Sequence, residues 1–294
     1  MKIVFSGSTS DTGNRVLKKL VEKIGNNSIT CLVRPTSDTS LAKKLKVETV
    51  VGDVTEPETL KQILAPSVRY LDMTHPKHYH KSLEAVVNAG VERAYFVTTT
   101  GIFSKYNQFS QIYQDNEARI RDSGIVYTIL RPSMIYGSIR DKNMHRLIQF
   151  LDRYPVFPLF GAGKSLMQPV YVEDLADGIV AAIDKTGTEN QEYNLAGSKG
   201  ITYREIVDTI LTKINRSVVK LNINTSLAAK IAKFAQKIPS FPVTEEQILR
   251  LQEDKVFDIS KSVHELGFSP RSFDAGISIE IAEMRQAGVI RSLL

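Results

Sequence analysis

Directly after the apolar run Lys2-Ile3-Val4-Phe5 stands Gly7-Ser8-Thr9-Ser10-Asp11-Thr12-Gly13, and a helical pattern beginning Asn14-Arg15-Val16-Leu17 follows at once. This spacing, GxxSxxG at a strand-to-helix turn, suits the binding of phosphate. A helix N-terminus offers unpaired N–H groups and a partial positive charge, and glycine lets an anion approach the backbone closely. A second apolar run within βαβ distance separates a dinucleotide loop from an ordinary turn. Gly7, Thr9, Ser10, Asp11, Thr12 and Gly13 are therefore the expected pyrophosphate cradle. Ser10 stands where such loops carry their middle glycine, so a small side chain meets the phosphate there.

The end of the second apolar run reads Leu32-Val33-Arg34-Pro35 and lacks the carboxylate that would accept hydrogen bonds from the ribose of NAD. Arg34 can instead pair its planar fork of donors with a 2′-phosphate, and Arg15 can assist, which favours NADP over NAD. The bland alternative for Arg34 is a solvated surface arginine. After the third run, Asp53 and Val54 suit a contact to adenine, although Asp53 serves equally well as a helix cap.

Three histidines, His75, His78 and His80, follow the fourth run. Their spacing fits no standard zinc motif and no Cys, Asp or Glu lies close by, so no metal is expected. His75 sits where a cleft forms at strand ends and titrates near neutrality, which makes it a candidate proton carrier; otherwise it is a polar helix-start residue. Gly161-Ala162-Gly163-Lys164-Ser165 looks like the end of a Walker loop, but Pro158 occupies the place of the required upstream glycine. The basic amphipathic stretch 228–235 could suit a membrane surface, but more often has core on one side and solvated lysines on the other.

These residues need elements to hold them. Short apolar runs alternate with segments of helical period, predicting strands over 2–5, 29–33, 48–51, 68–72, 94–98 and 126–130, with helices over 13–24, 40–45, 56–64, 78–89 and 111–122. Right-handed crossovers turn that order into an α/β Rossmann-type doubly wound parallel sheet with ligand at the carboxyl ends of its strands. Beyond residue 136 the pattern predicts helices over 142–151, 173–183, 202–214, 226–237 and 244–253, with short strands at 170–172 and 192–195. The expected organisation is a dinucleotide-binding domain over 1–135 and a smaller, mostly helical substrate lobe over 136–294, interleaved as one composite fold.

Composition sets limits. Of 294 residues, 42% are hydrophobic and 24% charged, as in a globular protein that buries a full core. The net charge of +6 is spread along the chain without a dense basic run among aromatics, which argues against nucleic acid as a partner. The single cysteine, Cys31, excludes an internal disulfide and fits a reducing compartment. No run of about eighteen apolar residues suggests a membrane span, and the short first run does not resemble a signal peptide, so a cytoplasmic monomer or homodimer acting on a small molecule is expected.

Longer motifs extend the reading across nearly the whole chain: GDVTE at 52–56, DSGIVYTILRPSMIYG at 122–137, QPVYVEDLADGI at 168–179, YNLAGSKGITYREIV at 193–207 and FDISKSVHELGFSP at 257–270. With the glycine loop, they make the chain resemble the short-chain dehydrogenase/reductase superfamily, in its extended and atypical branches of epimerase-like and nitrogen-metabolite-repressor-like proteins. The resemblance implies that Pro132, Ser133 and Met134 lie near the nicotinamide, that Thr98 to Thr100 end the strand beside the active site, and that Thr74 and His75 border the nicotinamide ribose. It also implies that Val170 to Asp174 support the cofactor cleft, that Tyr136 points toward it, and that Lys164 sits at the substrate lobe where an anionic substrate would lie.

Active members of that superfamily pair a tyrosine with a lysine four residues later; the ammonium stabilises the phenolate, and a neighbouring Ser or Thr orients the substrate. Here the family register puts Phe109 at the tyrosine position and Tyr113 at the lysine position, and Tyr113 is followed four residues later by Glu117. Thr100, Tyr113, Tyr136 and His75 remain as candidate catalytic residues. The expected activity is NADP(H)-dependent reduction of a small carbonyl, enone or quinone. The rival readings are a non-catalytic NADP(H) sensor that signals to a partner and a nucleotide-sugar epimerase or dehydratase with a non-standard base.

Overall fold

A computed structural model describes residues 1–141, 143–224 and 249–291. Seven strands form one sheet: β1 (Lys2–Ser6), β2 (Ile29–Val33), β3 (Glu48–Val51), β4 (Val68–Asp72), β5 (Arg93–Val97), β6 (Tyr127–Pro132) and, far along the chain, the strand Gln191–Leu195. All pairings are parallel, in the spatial order β3, β2, β1, β4, β5, β6, then 191–195. The expected doubly wound α/β sheet is present. The order reverses between β1 and β4, which opens a crevice at their carboxyl ends.

Helices cover both faces, so the central strands read as continuous apolar runs; every residue of β5 is buried. Helix α1 (Asp11–Ile24) begins where Ser10 Oγ accepts from Gly13 N at 3.0 Å, and it buries Val16, Leu17 and Leu20 on the sheet. Helices α2 (Ser40–Lys44), α3 (Pro57–Lys61), α4 (Tyr79–Ala89) and α5 (Ser110–Asp122) complete the first half.

The second half opens with β7 (Ile135–Tyr136), α6 (Met144–Arg153), β8 (Val156–Phe160), β9 (Leu166–Met167) and β10 (Val170–Tyr171). After α7 (Val172–Asp184), the strand at 191–195 is β11. It is followed by β12 (Ile201–Thr202), α8 (Tyr203–Ile214), β13 (Val219–Ile223), α9 (Ser260–Leu266) and α10 (Phe273–Gln286). The expected helix 226–237 and the first half of 244–253 lie outside the described residues. No helix among the described residues is long and apolar enough to cross a membrane.

The two halves share a core. Leu175, Ile179, Tyr193, Leu195 and Phe268 pack in one apolar cluster with Ile3, Phe5, Val16 and Leu20. Along the rim of that cluster, α1 and α7 exchange charges: Arg15 with Glu173 at 2.8 Å, Lys19 with Asp177 at 2.7 Å and Lys23 with Asp184 at 2.7 Å. Such exposed pairs each contribute little stability, but they fix which faces meet. A second core joins α6, α8 and α10 through Ile148, Leu151, Ile206, Ile210, Ile277 and Ile281.

Several elements of the second half were not expected. β8 contains Pro158, whose missing N–H argues against a strand; it is tolerated because, among the described residues, β8 pairs on one side only, with β13. β13 is largely exposed, so no buried run marks it.

Within the second core Glu280 is completely buried. Its Oε2 accepts from Gly137 N at 2.9 Å, while burial, aided by nearby Asp141, pushes its carboxyl up to about 8. A carboxyl raised in the folded state leaves the native protein holding more protons than the unfolded chain, so stability falls as pH rises from the ordinary glutamate range through 8. Glu280→Gln, which keeps an acceptor for Gly137, should leave the melting temperature near pH 5 almost unchanged. At pH 9 it should raise it by roughly 10 °C, on a scale of about 2 °C per kcal/mol. Thermal unfolding of both proteins across that range checks this.

Candidate functional site

The crevice between β1 and β4 holds a cavity of about 440 Å³ lined by Gly7, Thr9, Ser10, Arg34, Asp53 and Thr74, among others. Its glycines are required by contact. Gly7 has φ +93°, and a Cβ there would lie 2.6 Å from the Met73 carbonyl; one on Gly13 would lie 2.2 Å from Gly7 O. Two chain segments thus converge where α1 begins, with room for an anion and none for side chains. Thr12 and Asp11 occupy the first turn of α1. Ser10 spends its hydroxyl on the loop itself, donating to Gly7 O at 3.0 Å while accepting from Gly13 N.

Arg34 is exposed at the edge of this cavity, and among the described residues its guanidinium makes no hydrogen bond or ion pair. Arg15 does not assist it: its guanidinium is held by Asp11 at 2.8 Å and by Glu173 on α7. Asp53 Oδ1 accepts from Thr55 N and from Thr55 Oγ1, both at 2.8 Å, and these bonds hold the carboxyl below the usual range. Val54 beside it is buried. At the end of β4, buried Asp72 fixes the turn by accepting from Thr74 N at 2.9 Å and Thr74 Oγ1 at 2.6 Å. His75 Nδ1 accepts from Lys77 N at 3.3 Å, which leaves Nε2 to carry the proton of the neutral ring. Partial desolvation, Lys77 and His78 all depress its pKa.

A second cavity, of about 770 Å³, opens beside the first; Thr99, Thr100, Phe109, Tyr113, Ser133 and Met134 are part of its wall. The rings of His75, Phe109 and Tyr113 form a triangle with centroids 6.3, 6.0 and 6.2 Å apart, so His75 from the first cavity meets two residues of the second. Tyr113 is buried, which raises its phenol, and Arg250 opposes that shift. Thr100 Oγ1 donates to Pro132 O at 3.2 Å, and Ser133 Oγ donates to Gln168 O at 2.6 Å.

Three residues expected at the site lie elsewhere. Tyr136 is buried in the second core, stacked against Tyr171 and Phe273 at 5.6 and 5.2 Å, and lines neither cavity. Burial, aided by nearby Asp174 and Glu280, pushes the phenol well above its ordinary pKa. Thr98 donates its hydroxyl to Glu117 at 2.8 Å and lines neither cavity. Lys164, expected near an anionic substrate, also lines neither.

With Tyr113 at the place of the family's lysine, the ionisable group one turn further along α5 is Glu117. It is fully buried, paired through both oxygens with Arg131, and reached by Arg121 at 3.0 Å. Glu192 on β11 closes the group by pairing with both arginines. The sequence reading also missed the segment after residue 249, from which Arg250, Glu253, Lys255 and Phe257 contribute to the second cavity. Its only signal was the motif that starts at Phe257.

Residues 7–186 match the family described as NAD(P)H-binding, a stretch that begins at Gly7 and takes in the cradle, α1 and β4. The chain belongs to this NAD(P)H-binding family. A relative is an uncharacterised protein of Sinorhizobium fredii, 28% identical over 171 residues; the alignment covers 58% of this chain but less than half, 42%, of that protein. The NAD(P)H azoreductase of Xenophilus azovorans is 25% identical over 226 residues, covering 74% and 75% of the two chains. Among solved structures, the NADPH-dependent quinone oxidoreductase of Escherichia coli complexed with NADPH superposes with a TM-score of 0.74 at 19% identity, over 94% of this chain and 98% of that one. The fold is thus shared with NAD(P)H-binding proteins across the whole sheet and its second lobe.

Removing the carboxylate of Glu117 leaves the buried Arg131 with Glu192 as its one remaining counter-ion among the described residues, and breaking a buried pair from one side costs about 3–5 kcal/mol. Glu117→Ala should therefore lower the melting temperature by roughly 6–10 °C. Calorimetry beside Tyr113→Phe, which should change it by less than about 2 °C, checks whether the network is structural.

Proposed function

We propose that this protein is an NADP(H)-dependent reductase of small electrophilic acceptors, with quinones and enones favoured over simple aldehydes. The observation that carries the reading is the junction of the two cavities: a cradle with close-approach glycines meets a separate space for a small molecule across the His75, Phe109 and Tyr113 rings. The azoreductase and quinone oxidoreductase similarities support it.

When bound, the dinucleotide supplies a hydride. The loop at Gly7 and the first turn of α1 hold its pyrophosphate, and Arg34 pairs with a 2′-phosphate. Ser133, Met134 and Pro132 form the wall beside the nicotinamide, while Thr74 and His75 border its ribose. Phe109 has no proton to give and His75 is neutral at pH 7, so the site lacks a strong resident acid. A reduced quinone leaves as a weakly basic phenolate that water or the Tyr113 hydroxyl protonates, whereas an aldehyde yields a strongly basic alkoxide that needs general acid help worth about 10²–10⁴ in rate.

Purified protein with NADPH should therefore oxidise the cofactor with naphthoquinones at least about a hundredfold faster than with aldehydes, followed by the loss of nicotinamide absorbance. Tight NADPH binding with no turnover across quinones, enones and aldehydes would sink the reductase reading and leave a sensor. For the cofactor, Arg34→Ala should weaken NADPH by about 10–100-fold, the worth of hydrogen bonds to a charged group, and leave NADH unchanged. Equal affinity of the unmutated protein for the two would refute the choice of NADP.

A further inference from the structure

The second cavity contains a lysine that no part of the reductase reading uses. Lys255 sits on its wall, half-buried, where the chain runs alongside β9: Lys255 N donates to Leu166 O at 2.7 Å, and Lys255 bridges to Met167. Its Nζ donates to the carbonyl of Arg250 at 2.6 Å, and no carboxylate pairs with it among the described residues. The nearest acidic groups are engaged elsewhere. Glu253 accepts from Ser104 Oγ and Lys105 N, both at 2.6 Å, and Asp254 accepts from Leu166 N at 2.7 Å. An ammonium drawn out of water without a counter-ion is costly, and its burial depresses its pKa. The bonds at Leu166 and Met167 fix the main chain that carries Lys255, and the Arg250 carbonyl holds its ammonium.

The rest of the wall says what shape of molecule would bring the missing charge. Phe257 follows two residues later and stacks on Phe103 at 5.9 Å with the rings 33° from parallel. Phe257 N donates to Gln168 Oε1 at 2.7 Å, and the carbonyl of the same Gln168 accepts from Ser133. The cationic segment is thus fastened to the β9–β10 connection, whose Gln168 in turn accepts from Ser133, the residue expected beside the nicotinamide. Phe109 and Tyr113 supply a second pair of rings, 6.2 Å apart. Flat apolar surfaces flank a cation that pairs with no carboxylate among the described residues.

We propose that this cavity selects planar aromatic acceptors bearing an anionic substituent, a carboxylate or sulfonate, and that Lys255 is the residue that reads the charge. This names a substrate class for the reductase activity proposed above and rests on that reading for its turnover, though not for its binding.

The test pairs two probes, 1,4-naphthoquinone and its 2-sulfonate, in steady-state assays with saturating NADPH, and naphthalene with naphthalene-2-sulfonate in calorimetric titrations of the NADPH-loaded protein. Unmutated protein should show a KM at least about tenfold lower for the sulfonated quinone, the value of one charge-assisted contact. Lys255→Met should abolish that ratio by raising KM for the sulfonate alone, and Lys255→Arg should restore most of it; a thermal melt confirms that both variants fold. The ratio should shrink with added salt. Turnover of both quinones with no charge preference, or a preference that survives Lys255→Met, would overturn the proposal and leave the reductase reading standing. Lysine-dependent binding of naphthalene-2-sulfonate without turnover of either quinone would uphold the anion site and sink the reductase reading. Failure of the sulfonate to bind better than naphthalene would overturn the proposal directly.

Discussion

A single added carbon at Gly7 would sit 2.6 Å from the carbonyl of Met73, and one at Gly13 would fall 2.2 Å from the carbonyl of Gly7. The functional geometry follows from that crowding. β1 and β4 are neighbours in the sheet, and the chain leaves them in opposite senses, so their carboxyl ends part just beyond the point of contact. The first turn of α1 is aimed into the gap. Arg34 from β2 and Thr74 from β4 reach the same space only because the strands beneath them are locked in parallel register, with Phe5 opposite both Cys31 and Leu71. Cys31 itself is inert core, its thiol pushed up to about 11 by burial.

The cofactor half was legible because its constraints are local. A glycine that must adopt φ +93°, a serine that caps a helix and an apolar run ahead of both are all encoded within a few residues. The helix over Asp11–Ile24 begins two residues before the expected start because Ser10 is its cap, and α5 begins one residue early. The second cavity was less legible because its walls come from distant parts of the chain. Nothing around Lys255 distinguishes it from a surface lysine until the backbone bonds to Leu166 and Gln168 draw it inward. Tyr136 failed for a related reason: its motif gives its neighbourhood in sequence, whereas Phe273 on α10 decides which way the ring is packed.

Glu117 shows how a buried charge beside an altered active-site wall is kept electrically quiet. A lysine-like cation near Tyr113 would lower the phenol's pKa; a carboxylate one turn beyond Tyr113 does the reverse unless it is neutralised. Arg131 and Arg121 neutralise it, and Glu192 then balances the second arginine. The group is close to electrically complete, so its field at Tyr113 is small. Charge that would otherwise serve proton transfer instead ties α5, β6 and β11 together.

That last strand carries an implication for how the polypeptide is made. The chain leaves the sheet at Pro132 and rejoins it only at Gln191, where β11 pairs along the free side of β6. A nascent chain emerging from the ribosome would therefore display β6 as an open edge, with unsatisfied amides and carbonyls, throughout the synthesis of α6 and α7. Arg131, near its end, would meanwhile hold a charge that Glu192 has yet to balance. The early part of the protein is thus exposed to off-path strand pairing for a defined interval, and its protection in the cell is a matter of elongation speed and chaperone access.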